Sequence, residues 1–232
     1  NYFNKKNIVK NRNFKALVTT GPTREYLDPV RYISNESSGK QGYELALALK
    51  KLGIKTTLVA GPSNLNFSKD LKIKKVISAN NMLNEVKKLL PVDIAVCAAA
   101  VADYSPVKKN QNKIKKDATN LSLIKLEKNP DILDFLGKNN KHRPRIVVGF
   151  SAETENIILN SKFKMKNKYC DLMIANDVSK KDTGFNSDYN KVSIIHKNGK
   201  IQNIKKNRKS YIANMVAKII LDKLLMNDKN IN

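Results

Sequence analysis

KALVTTGP at residues 15–22 and KTTLVAGP at residues 55–62 each run from a lysine through apolar and β-branched residues into Gly-Pro. Such runs read as strands over Lys15–Thr20 and Lys55–Ala60, stopped where glycine and proline end the ladder. Between them, Tyr43, Leu45, Leu47, Leu49 and Leu52 stand among alanines and lysines and close at Gly53, which predicts a helix from about Ser38 to Leu52. Strand, helix and strand in that order form a βαβ unit, so the two strands belong to a parallel sheet.

The alternation continues along the chain. Lys74–Ile77 reads as a short strand, Asn80–Leu90 as a helix, and DIAVCAAA over Asp93–Ala100 as a strand apolar at nearly every position, as both faces being covered requires. Leu121–Leu126 alternates like a strand, a helix starts over Asp131–Leu136 behind Asn129-Pro130, and RIVVGF at 145–150 returns to the sheet. A helix over Glu155–Tyr169 and a strand over Asp171–Ala175 follow. Lys191–His196 and Lys200–Ile204 flank Asn198-Gly199, a strong hairpin signal, and a final helix spans about Lys209–Met226 with Ile212, Val216, Ile219, Ile220 and Leu224 on one face. The expected fold is α/β, a Rossmann-like, mostly parallel sheet flanked by helices with an antiparallel β appendage. Residues 1–14 read as a basic linker, 15–226 as the domain and 227–232 as a tail.

The chain of 232 residues carries a formal net charge of +24. Such an excess ordinarily suggests a nucleic-acid surface, but here it is spread evenly as lysines mixed with asparagine and isoleucine, with few arginines and only 6% aromatics. A polynucleotide groove more often concentrates arginine and stacking rings, so a basic polynucleotide-binding module is the weaker reading and no nucleic-acid partner is expected. There is no apolar run long enough to span a bilayer, and the basic N-terminus lacks a signal-peptide core, so no membrane and a cytoplasmic location are expected. Cys97 and Cys170 show no metal spacing and read as two reduced thiols; no protein metal cage is expected.

RYISNESSGKQG at residues 31–42 has the small residues, glycines and lysine of a phosphate turn, yet Ser34 stands where a Walker loop needs its first glycine and Gln41 follows Lys40. Gly21 alone cannot supply the three glycines of a dinucleotide turn, which disfavours a Rossmann-like nicotinamide-dependent oxidoreductase. Taken locally, Ser37 or Ser38 caps the helix that follows. Ala98, Ala99 and Asp103 stand at a strand end, where α/β folds collect ligands, although Asp103 reads equally well as a turn residue. Lys113-Ile114-Lys115-Lys116 lies in a polar, aperiodic stretch from Lys108 to Thr119 that reads as a mobile loop; its amines could close over phosphates or stand solvated. His142 and His196 have no evident nucleophile partner, and no G-x-S-x-G elbow occurs.

In this order, TTGPTREYLDPVRYISNESSGKQG (19–42), CAAAVADY (97–104), NKIKK (112–116), KNPDIL (128–133), VVGFSAET (147–154) and ANDVSKKDTGFNSDYN (175–190) closely resemble the bacterial phosphopantothenoylcysteine synthetase family. The resemblance covers about Lys15–Met226. It implies a ligase of coenzyme A biosynthesis: the carboxylate of 4′-phosphopantothenate attacks the α-phosphate of CTP with Mg²⁺ bound, giving an acyl-cytidylate and pyrophosphate. The amine of L-cysteine then displaces CMP. The family is commonly fused behind a flavin-dependent phosphopantothenoylcysteine decarboxylase, so FMN is expected only if that half is present in a longer chain.

The resemblance implies nucleotide contacts at Cys97, Ala98, Ala99, Asp103, Lys113, Pro130, Asp131, Ile132, Leu133, Phe150, Lys164 and Lys168. Lys164 and Lys168 also stand four apart on an expected helix, which puts both amines on one face. It further implies that Asn35 meets the acyl carbonyl, that Lys113 neutralises the α-phosphate, and that Arg31 supports substrate binding. Cys97 departs from an expected small residue. A homodimer is implied as well, with the Asn198-Gly199 hairpin and its irregular neighbours as the expected interface.

Overall fold

The protein is described by a computed structural model over residues 13–115, 124–138, 141–178 and 187–229. From the N-terminus come β1 (Lys15–Thr20), β2 (Arg24–Tyr26), β3 (Tyr32–Ser34), α1 (Lys40–Lys51), β4 (Lys55–Ala60), β5 (Lys72–Lys75), α2 (Ala79–Leu89) and β6 (Ile94–Cys97). There follow β7 (Tyr104–Pro106), β8 (Leu126–Lys128), α3 (Ile132–Lys138), β9 (Ile146–Glu153), α4 (Ile157–Asn167) and β10 (Leu172–Asp177). The described chain ends with β11 (Tyr189–His196), β12 (Ile201–Arg208) and α5 (Lys209–Lys229).

Eight strands form one sheet in the order β12-β11-β10-β9-β6-β1-β4-β5, and β2–β3 and β7–β8 form two small hairpins. The two quoted segments pair in parallel over their whole length, Lys15 opposite Lys55 through Thr20 opposite Ala60. Successive side chains of the central strands point to opposite faces, and both faces are covered. Ala16 and Val18 of β1, with Ile94 and Val96 of β6, pack under α1 and α5, whereas Leu17 and Ala95 pack towards α2, α3 and α4. That double covering makes β6 and β9 apolar at consecutive positions and produces the Rossmann-like three-layer fold expected from the sequence.

The antiparallel pair around Asn198-Gly199 forms as expected, and β11 also pairs with β10, so the appendage continues the main sheet. Several boundaries move for visible reasons. β5 lies two residues earlier than expected, because its partner β4 ends at Ala60: the Val76 amide makes the last bond to that strand, at the Ala60 carbonyl, and the Ile77 carbonyl turns to accept from Arg24. β6 stops at Cys97 because the Thr19 hydroxyl accepts the Ala99 amide at 3.3 Å and only an isolated bridge, Pro22 to Ala100, continues the pairing. β9 runs on to Glu153 because β10 pairs with it as far as Asp177.

Neither Ser37 nor Ser38 is the cap of α1. That place is taken by Gly39 at φ 74°, and the two serine hydroxyls accept the amides two residues ahead of each. Phe14, in the stretch expected as linker, is buried in the core, and α5 continues past Met226 to Lys229. The expected strand over Leu121–Leu126 lies partly outside the described residues, and its last residue opens β8. The end of the loop expected to be mobile, residues 116–119, also lies outside them, as do residues 1–12 and Gly184-Phe185-Asn186.

Gly61, at the end of β4, lies against the β1 turn so closely that an added Cβ would stand 1.8 Å from the Pro22 carbonyl oxygen. Backbone cannot yield there as the end of a long side chain could. Gly61→Ala is expected to lower stability by about 1–3 kcal/mol, read as a fall in the urea midpoint with an unchanged denaturant slope.

Candidate functional site

Chain order reverses beside β1: the sheet grows to β4 and β5 on one side and resumes with β6 on the other. The carboxyl ends of strands at such a reversal open a crevice. Here three threonines from the end of β1 organise that crevice, and all three are buried. The Thr20 hydroxyl donates to the Gly39 carbonyl at 2.5 Å, pinning the 31–42 turn. Thr19 and Thr23 accept the amides of Ala99 and Ala102, at 3.3 and 3.0 Å, fixing the segment that follows β6. The Ser34 hydroxyl adds a bond to the Thr23 carbonyl at 2.7 Å.

Two cavities meet at this edge. The first, of about 530 Å³, is lined by Cys97, Ala99 and Asp103 from the β6 end, Pro130, Asp131, Ile132 and Leu133 at the start of α3, Phe150 of β9, and Lys164 and Lys168. The second, of about 450 Å³, is lined by Asn35 through Gly42, by Ala98 through Val101, and by Asn176, Asn190 and Lys209. Ala99, Val101, Asp103, Phe150 and Lys164 face both and form the wall between them.

The lysines differ in what already neutralises them. Lys168, just past α4, reaches Asp131 at 3.0 Å and Asp134 at 3.3 Å. Burial disfavours its charge, but those two carboxylates outweigh burial and hold the ammonium above its ordinary pKa. Lys40 pairs with Asp188. Lys164, on the shared wall, has no such carboxylate among the described residues. Lys209 is buried at the foot of the second cavity, and burial together with the charge of Lys40 pushes its pKa down.

Burial pushes the Cys97 thiol well above its usual range and the Cys170 thiol up to about 12. Neither is an ionised nucleophile near neutral pH.

Asn35 stands in the second cavity, its amide nitrogen donating to the Val101 carbonyl at 2.9 Å. All the residues expected to touch nucleotide line the first cavity except Ala98, which faces the second, and Lys113, which is exposed and lines neither. Arg31 lines neither cavity. Its guanidinium donates twice to Asp28, at 2.9 and 2.6 Å, and once to the Ile114 carbonyl at 2.8 Å.

Asp28 is fully buried and was not singled out by the sequence, where Asp28-Pro29 reads as an ordinary turn. Lys209 was also missed, since it sits in no pattern that separates it from the chain's many other lysines, and Asn190, although it closes the 175–190 motif, was given no role. Among the described residues, no group of three or more His, Cys, Asp and Glu side chains is placed to hold a metal. No helix is long and apolar enough to cross a membrane among those residues.

This arrangement has known relatives. The model of the DNA/pantothenate metabolism flavoprotein C-terminal domain, DFP, matches residues 11–224. The coenzyme A biosynthesis bifunctional protein CoaBC of Borreliella burgdorferi is 41% identical over 222 residues, 95% of this chain and 55% of that protein. The CoaBC of Escherichia coli K12 is 42% identical over 201 residues, 85% of this chain and 49% of that protein. The chain thus spans about half the length of the curated relatives it matches. A crystal structure of a CoaBC C-terminal domain superposes with a TM-score of 0.76 at 33% identity, covering 93% of this chain and 96% of that one. A Streptococcus pneumoniae DNA/pantothenate metabolism flavoprotein, 22% identical over 89% of this chain and 98% of its own, shares the fold with a TM-score of 0.74. With the family model covering most of its length, the chain belongs to the DNA/pantothenate metabolism flavoprotein C-terminal domain family.

Proposed function

We propose that this chain is a CTP-dependent ligase that joins 4′-phosphopantothenate to L-cysteine through an acyl-cytidylate. The observation that carries this reading is the pair of cavities with one shared wall, because a two-step ligase must hold a nucleotide and an acid side by side with the reacting phosphorus and carboxylate at the border. The first cavity, with Pro130, Ile132, Leu133 and Phe150 on its sides and Asp103 on the shared wall, takes the cytidine; the second, under the 31–42 turn, takes the phosphorylated acid.

Lys164, on the wall common to both, lies where negative charge gathers as the carboxylate attacks the α-phosphate. Lys113 approaches from the β7–β8 connection to meet the same phosphate. Ala99, Val101 and Phe150 of the wall keep water from the acyl-cytidylate, which would otherwise hydrolyse. In the second step the cysteine amine attacks the acyl carbon, and the Asn35 amide donates to the developing oxyanion before CMP leaves. Asn35 is uncharged, so it can do this without exchanging a proton.

Mg²⁺ usually enters such sites on substrate phosphates, held by one or two carboxylates and water. The first cavity fits that mode: Asp103 and Asp131 line it, and Asp131 is partly committed to Lys168. Bound there, the cation would neutralise phosphate charge. FMN belongs to a decarboxylase half in a longer chain. Phosphorylated, water-soluble substrates suit a cytoplasmic enzyme.

The same reading includes a homodimer, with an interface different from the Asn198-Gly199 hairpin first expected. That hairpin is built into the main sheet. A cluster of exposed apolar side chains lies on the two small hairpins, Val30, Tyr32, Tyr104, Val107, Ile124 and Leu126, whereas the β11–β12 pair exposes only Tyr189 and Ile201 of this kind. Apolar patches of this kind are covered by partners.

Pyrophosphate release from CTP should require 4′-phosphopantothenate and precede any need for cysteine; release that the acid does not stimulate would remove the assignment. Asn35→Asp should slow amide formation from acyl-cytidylate by on the order of 100-fold while leaving cytidylate formation much less affected, as single-turnover assays of each half-reaction would read. Val107→Asp should shift the chain to a monomer in sedimentation velocity, and an unchanged sedimentation coefficient would move the interface elsewhere.

A further inference from the structure

Asp28 divides its two carboxylate oxygens between different tasks. Oδ1 accepts the amides of Val30 and Arg31, both at 2.9 Å, and shapes the turn it stands in. Oδ2 accepts the Arg31 side chain through Nε at 2.9 Å and Nη2 at 2.6 Å, and also the amide of Ile114 at 3.2 Å, from the far side of the chain. Arg31 completes the grip, since the same Nη2 donates to the Ile114 carbonyl at 2.8 Å. Both backbone polar groups of Ile114 are therefore held by one buried ion pair. A neighbouring bond, from the Asn110 amide to the Leu27 carbonyl at 2.9 Å, ties down the approach to this segment.

A turn-stabilising aspartate would need only the Oδ1 bonds. The Oδ2 bonds reach a distant segment in which only Ile114 is apolar, half-buried between the exposed Lys113 and Lys115, and the lysine at 113 is the one assigned to the α-phosphate. We propose that Asp28 and Arg31 are positioning residues that clamp the Ile114 backbone and so set where Lys113 reaches during nucleotide activation, an inference that rests on the ligase reading above. Arg31 then acts through the 113 segment and needs no contact with substrate. Burial alone would raise the Asp28 carboxyl, but the Arg31 side chain and the three amides outweigh it and hold the group well below the usual carboxylate range. A depressed folded pKa keeps the ion pair intact at neutral pH, and the stability it contributes is lost only as pH falls through the acid range.

Two kinds of measurement test this. Amide hydrogen exchange at Ile114 in the ligand-free chain should accelerate in Asp28→Asn and in Arg31→Lys, which keeps the charge but loses the two-pronged guanidinium; unchanged protection in both would overturn the clamp, whatever the enzyme does. In the enzyme, Asp28→Asn should slow cytidylate formation on the order of 10- to 100-fold, with little change in the KM for CTP and no change in cysteine attack on supplied acyl-cytidylate. Combined with Lys113→Gln it should add nothing further, because both changes remove one action. Additive losses, or equal slowing of both half-reactions, would reduce Asp28 to a structural residue and overturn the positioning role. Should Asp28→Asn fail to fold, Arg31→Lys alone decides by the same two criteria. If the unaltered chain releases no acid-dependent pyrophosphate, the ligase reading fails, and with it the link to activation, while the exchange measurement still decides the clamp.

Discussion

The hydrogen bond from the buried Thr20 hydroxyl to the Gly39 carbonyl is the constraint on which the site is built. Gly39 must accept it in a left-handed conformation, and Gly42 packs so near Thr20 that an added Cβ would stand 2.5 Å from the threonine oxygen. One turn of helix is thereby pressed onto the end of one strand. Thr19 and Thr23 use the same device towards the segment after β6. A run of β-branched alcohols at a strand end can do this because each hydroxyl satisfies a loop amide or carbonyl that no sheet ladder reaches. Both cavity walls are thus fixed from a single strand, and their relative position follows from the register of that strand.

Electrostatics acts by selection within a strongly basic chain. Net charge says little about which lysine meets a ligand, because most of them are solvated. Local pairing says more. Lys168 is held by Asp131 and Asp134, and Lys40 by Asp188, whereas Lys164, on the wall between the cavities, has no carboxylate in ion-pair reach among the described residues. The two lysines that helical spacing placed on one face therefore do different work. One closes the end of α4 onto α3, and the other faces both cavities.

The central fold was legible because its signals are periodic and long. Strands covered on both faces read as unbroken apolar runs, and each is bounded by glycine, proline or a helix pattern. The hairpins β2–β3 and β7–β8 were not legible: three residues per strand are too few to display an alternation, and their partners are chosen by tertiary contacts such as Arg24 with Ile77. Most of the lining of the first cavity was named beforehand through the family resemblance that the order of the motifs carries. Asp28 escaped because its second oxygen binds Ile114, 86 residues away, and nothing local to an Asp-Pro turn records that. The serine caps expected for α1 gave way to Gly39 because Thr20 requires the carbonyl there, a demand set by β1.

Among the described residues the open sheet of eight strands has two unpaired borders, β5 and β12. β5 reads KIKK and carries Lys72, Lys74 and Lys75; β12 carries Lys205, Lys206 and Arg208. A second chain approaching either border to extend the ladder would bring its own identical cations against these, since the same strands would meet. The lysine enrichment that has no focused ligand over much of the surface thus discourages polymerisation along the sheet, leaving the molecule free to associate only where its charge is thin.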